Sequence, residues 1–99
     1  MDKLYIIVLK SLSTGLKAAQ ACHALHAFTQ TYPDITRAWE ADNNIVVLEH
    51  DDLLTTAEML EGLGHSLVRF HEPDMDDALT AICVEPAAKK RLSGLRLAA

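Results

Sequence analysis

Two short stretches of the chain hold residue types that could do chemistry. The first is Ser11 to His23, where a run of hydroxyl residues and Gly15 lead into Lys17, Gln20 and His23. A loop that follows a buried strand and opens a helix presents unpaired backbone N–H groups and the positive end of a helix dipole, a natural seat for phosphate or carboxylate. Lys17 adds a cation, and Gln20 and His23, at i and i+3, share one helix face. A neutral His can take or relay a proton near pH 7. The competing reading is that Gln20 and His23 only meet solvent or a partner.

The second stretch is His71-Glu72-Pro73-Asp74-Met75-Asp76-Asp77, with four carboxylates in six residues, and Thr80 opens the apolar run just after it. Such a loop can orient a base, bind Mg²⁺, or simply form a solvated acidic turn. An EF-hand does not fit, because the sixth position from Asp74 is Leu79 where that loop needs Gly. Cys22-His23-x-x-His26 with Cys83 does not make a zinc site either, since neighbouring residues on a helix point about 100° apart. No metal and no cofactor is expected.

The elements around these stretches follow from hydropathy patterning. Leu4 to Leu9 is a continuous apolar run with β-branched residues, the pattern of a strand buried on both faces. From Gly15 to about Gln30 the residues favour a helix, with Ala18, Ala21, Cys22, Leu25 and Phe28 as the expected core stripe. On that wheel Gln20, His23 and Ala27 lie on the opposite side. Tyr32-Pro33-Asp34 breaks the chain, and Ile35 to Ala41 reads as a second helix carrying Trp39.

Ile45 to Leu48 reads as a second strand. A helix opened by Asp51-Asp52 follows, with Leu53, Leu54, Ala57, Leu60 and Leu63 as its core face, and Ser66 to Phe70 as a third strand. The second and third strands with their helix are expected to form a right-handed parallel unit. Only His71 to Ala78 separate the third strand from the fourth, Leu79 to Val84, too few for a parallel crossover. The fourth strand must therefore run antiparallel to the third. Pro86 suits the first turn of a last helix bearing Lys89, Lys90, Arg91 and Arg96. The expected fold is α/β: a three-layer sandwich, a mixed four-stranded sheet with helices on both faces.

Residues 15–24, Gly-Leu-Lys-Ala-Ala-Gln-Ala-Cys-His-Ala, resemble the signature of the type 2 peptidyl-tRNA hydrolase family, G-K-x-A-A-Q-x-x-H-A after an apolar first strand. Glu72-Pro73-Asp74 followed by Leu79-Thr80-Ala81 resembles the E-P-D-x-x-x-x-L-T-A stretch of small, divergent bacterial members. Trp39 fits those members as well, and the resemblance spans about residues 4 to 86. Two departures stand out. Leu16 occupies the family's lysine position, with Lys17 one residue later, and the D-A-G-R-T-Q run after the third strand is missing.

The resemblance implies hydrolysis of the ester joining a peptide's C-terminal carbonyl to the tRNA 3′ ribose. In that chemistry His23 or Asp74 activates a water, and Thr80 or Gln20 positions the water or the carbonyl. Phosphates of the tRNA end would meet the helix N-terminus at Gly15 together with Lys17. A homodimer is expected from the resemblance alone.

Composition bounds these readings. The 99 residues suit one domain, 1–99, with 49% apolar and 23% charged residues. The longest apolar run is far short of the roughly 20 residues that span a bilayer, and its flanks do not suit a signal peptide. Both cysteines sit in apolar segments and are expected to be reduced core thiols of a cytoplasmic protein. The net charge of −5 opposes broad nucleic-acid binding, yet Lys10 and Lys17 lie near the first stretch and Lys89 to Arg96 form a second basic group. Binding focused on one end of a tRNA is compatible with that distribution.

Overall fold

A computed structural model describes residues 2–99. Its elements run β1 (Lys3–Leu9), α1 (Thr14–Thr31), α2 (Pro33–Glu40), β2 (Asn44–His50), α3 (Leu53–Gly62), β3 (Leu67–Glu72), a 3₁₀ turn (Pro73–Met75), β4 (Ala78–Val84), a 3₁₀ segment (Pro86–Arg91) and β5 (Arg96–Leu97). The strands form one mixed sheet in the order β3-β4-β1-β2-β5. It has five strands, one more than the sequence pattern predicts. A two-residue strand has no periodicity to read, and β5 exists only because β2 offers an open edge, where Leu97 pairs with Leu48 and Arg96 with Glu49.

β1 is central, and its unbroken apolar run follows from that position. Leu4, Ile6 and Val8 face α1 and α2, whereas Tyr5 and Ile7 face α3 and the 3₁₀ segment. Each face has its own core. Phe28, Ala24, Trp39 and Cys83 fill the first; Leu53, Ala57, Leu60, Ile82 and Leu92 fill the second. Trp39 is buried because its indole N–H finds the Asn44 carbonyl at 2.7 Å, which ties α2 to the start of β2.

The directly parallel pair is β1 with β2. β3 and β4 are antiparallel, as the short link between them requires, and β4 is antiparallel to β1. β3 thus runs in the same direction as β2 but with two strands between them, not beside it as a simple β-α-β unit would place it. The path from β1 to β2 moves one way along the sheet over one face. The path from β2 to β3 moves the other way over the opposite face, so both crossovers have the same hand.

The last helix is corrected as well. Residues 86–91 bond at i to i+3, with Ala88 N–H to Glu85 at 3.2 Å and Leu92 N–H to Lys89 at 3.1 Å. The chain must turn at once to reach the edge of β2, which leaves no length for a full α-helix. On α3, Leu53, Ala57 and Leu60 are buried as expected, but Leu54 and Leu63 point to solvent. Ten residues on a flat sheet can bury only one narrow stripe.

Candidate functional site

α1 begins at Ser13, whose side-chain oxygen caps it by accepting the Leu16 N–H at 3.4 Å. The stripe that α1 buries is Lys17, Gln20, Ala21, Ala24 and Phe28, not the stripe read from apolar residues alone. Ala18 and Cys22 are exposed, and Gln20 is 1% exposed where the sequence pattern turned it outward. Apolar periodicity assumes that polar side chains seek water. Here two of them are satisfied inside, so the helix is rotated relative to that expectation. The same rotation places Cys22 outside the core; only Cys83 is a buried thiol, and burial pushes its pKa up to about 12.

Lys17 is one of the two. Its Nζ lies 2.8 Å from Glu49 Oε1, with both side chains only one-tenth exposed. The Ala99 N–H also donates to Glu49 Oε1, at 3.2 Å, and Lys17 Nζ reaches the Ala99 carbonyl oxygen at 3.4 Å. The hydrogen bond from Lys17 and then the one from Ala99 hold the Glu49 carboxyl below its ordinary 4.5. Lys17 is therefore neutralised and roofed by the segment after β5, and it presents no free charge at the start of α1. Leu16 is 45% exposed.

Gln20 is the other. Its Nε2 donates to Glu72 Oε1 at 3.0 Å, and its Oε1 accepts from the Thr80 hydroxyl at 2.7 Å. An ionised carboxylate only accepts, which fixes the amide's orientation and with it the direction of the chain Thr80 to Gln20 to Glu72. Thr80 is fully buried. A bulge puts it there. Phe70 pairs with Ala81 and His71 with Leu79, so Thr80 is the extra residue between them. Without that bulge Leu79 and Ala81 would face the same way. Instead Leu79 packs against the α3-side core and Ala81 against the α1-side core, and Thr80 is aimed at α1.

His23, one turn further along α1, is exposed and lies flat on Phe70 of β3, with ring centroids 4.7 Å apart at 17°. Asp74 sits in the 3₁₀ turn just past Glu72 and is exposed. Asp76 and Asp77 close the loop with φ of 54° and 58°, left-handed backbone that Asp tolerates better than most residues. The fold thus brings Gln20, Thr80 and His23 to the β3–β4 edge of the sheet, alongside the acidic loop. Lys10 is not part of that group; it lines a separate hollow of about 180 Å³ with His50, Asp51 and Arg96. Lys89 and Lys90, with Lys3, rim an apolar groove walled by Tyr5, Leu48 and Leu92 of the α3-side core. Gly15 lies in the first turn of α1, with open space where a side chain would be.

Glu49 and Phe70 are the residues that sequence reasoning passed over. Glu72 was visible in the acidic run and in the E-P-D stretch, but neither gave it a role of its own. Among the described residues no group of three or more His, Cys, Asp and Glu is arranged to hold a metal ion, and no helix is long and apolar enough to cross a membrane. The site is thus a half-buried carboxylate held from behind by a buried amide and hydroxyl, at the edge of a mixed α/β sheet. Among known proteins, no family model and no curated sequence matches the chain.

Proposed function

We propose that the protein hydrolyses the ester joining a peptide, or an N-blocked aminoacyl group, to the 3′ ribose of a tRNA. The observation that carries this reading is the contact between Gln20 and Thr80. These residues are 60 positions apart, come from the two separate motif matches, and meet at 2.7 Å. With Glu72 and His23 at the same sheet edge, they supply what ester hydrolysis needs: a fixed carboxylate, a titratable imidazole and a surface open to water. The attacking water is activated by His23 or by a carboxylate of the 72–74 segment. The unpaired N–H groups at the start of α1 meet phosphate without help from Lys17. On this reading α1 and α2, the sheet, and α3 correspond to the three-layer sandwich of that family, in a cytoplasmic and dimeric protein.

The test is release of the N-acetylamino acid from N-acetylaminoacyl-tRNA by the wild-type chain, with His23→Ala beside it. Turnover above background that falls in the variant supports the reading, and a wild-type rate at background refutes it. A second reading, a tRNA-binding module without catalysis, is favoured by the Lys17–Glu49 pair and by Leu16, which together leave the family's lysine function unfilled. Labelled tRNA titrated at about 50 and about 200 mM salt would then bind, with the steep salt dependence of phosphate contacts and no hydrolysis.

A further inference from the structure

We infer that Glu72, not Asp74 or His23, is the base of this site. The inference rests on the ester-hydrolase reading and gives a role to a residue to which the resemblance assigned none. A base must be held within hydrogen-bond reach of the water it deprotonates, so the deciding property among the loop carboxylates is fixation. Glu72 alone among them has its carboxylate tied into the fold. Gln20 Nε2 holds Oε1 at 3.0 Å, and Gln20 is in turn fixed by Thr80, with both of these residues inside the core. Oε2 takes no hydrogen bond from the described residues and is the oxygen left for a water. Glu72 is half-buried, whereas Asp74, Asp76 and Asp77 are all exposed. Asp76 and Asp77 are committed through their backbone to the left-handed turn between β3 and β4.

His23 is fixed by contact with Phe70 alone. Its ring stacks on the phenyl face, and no hydrogen bond from the described residues fixes where its nitrogens point. That geometry suits a group that meets the substrate's exposed side and leaves the water to Glu72.

The step balances. Glu72 takes one proton from water as the water oxygen bonds to the ester carbonyl carbon. The bond from that carbon to the ribose oxygen then breaks. The proton held by Glu72 passes to the ribose oxygen, giving the free acid and the tRNA hydroxyl and restoring the carboxylate.

The experiment uses N-acetylaminoacyl-tRNA and five chains: wild type, Glu72→Gln, Glu72→Ala, Asp74→Asn and Asp76→Asn. Glu72→Gln retains an oxygen that can accept from Gln20, and its melting curve should match wild type. The expected loss in kcat is at least about 100-fold, with KM unchanged. Asp76→Asn should keep the wild-type rate. Glu72→Ala should be as slow as Glu72→Gln and should recover in added formate, which a purely structural role would not allow. The assignment is overturned by a Glu72→Gln rate within tenfold of wild type. It is equally overturned by a loss in Asp74→Asn as deep as in Glu72→Gln, or by a Glu72→Ala rate that formate does not restore. A wild-type chain that leaves the ester intact removes the hydrolase reading and the base assignment together. An active wild type with an active Glu72→Gln removes the assignment alone.

Discussion

The buried Thr80–Gln20 contact makes a stability prediction independent of any activity. Thr80 is 0% exposed and Gln20 1%, so neither can turn to solvent if its partner is removed. Gln20→Leu leaves the Thr80 hydroxyl unpartnered in the core, which costs about 1–3 kcal/mol, and also strips one hydrogen bond from Glu72, which water can replace. Thr80→Val leaves Gln20 Oε1 without its donor and costs a similar amount, about 1–3 kcal/mol. In a domain of this length each kcal/mol lowers Tm by roughly 4–8 °C, so both single variants should melt visibly earlier. The double variant Gln20→Leu with Thr80→Val has no orphaned group left in the core. Replacing both partners by apolar groups of similar shape can be nearly neutral, so the double variant should lose less than the two singles summed, with a coupling of about 1–3 kcal/mol. Urea unfolding followed by the fluorescence of Trp39, the sole tryptophan and a buried one, measures all four chains. A double variant destabilised by the full sum of the singles, at unchanged m, would mean that the two side chains do not depend on each other.

Glu49 titrates below its ordinary 4.5 because Lys17 and the Ala99 N–H favour its charged form. Its contribution is therefore complete above the unfolded value and is lost as pH falls through the lower folded one. Glu49→Gln should flatten the fall of the urea midpoint between about pH 5 and pH 3; an unchanged slope would contradict the pairing. Some slope should remain, because Asp52, which caps α3 by accepting the Thr55 N–H at 3.0 Å, is also held below its usual 3.8. The two cysteines should separate cleanly in a labelling experiment. Cys22 is exposed and should react with a maleimide in the native protein, whereas Cys83 should react only after unfolding. Equal native rates for both thiols would show that the α1-side core is open.

Much of the frame was legible in one dimension because it rests on contiguous patterns. The apolar run at Leu4 to Leu9 specified a strand covered on both faces, and β1 is the central strand. The second helix was legible from Ile35 onward, although it begins two residues earlier, with Pro33 in its first turn rather than ahead of it. The eight residues between Phe70 and Leu79 forced the antiparallel turn, since no shorter crossover geometry exists. Gln20, His23 and Thr80 were singled out by residue type and by resemblance to a family pattern, and the fold brings them to one edge of the sheet.

What only the tertiary structure decided is which way those residues point and whom they meet. Helical periodicity sorts side chains by their affinity for water, and that sorting fails where a polar group finds its partner inside. Lys17 and Gln20 are buried for that reason, one against Glu49 and the other between Thr80 and Glu72. The sequence determined that a glutamine and a threonine were present in two motifs. A one-residue bulge in β4, invisible to any pattern of period two, set them 2.7 Å apart and singled out one carboxylate from an acidic loop. Long-range pairing makes such choices, and it follows from the order in which strands lie side by side rather than from their order in the chain.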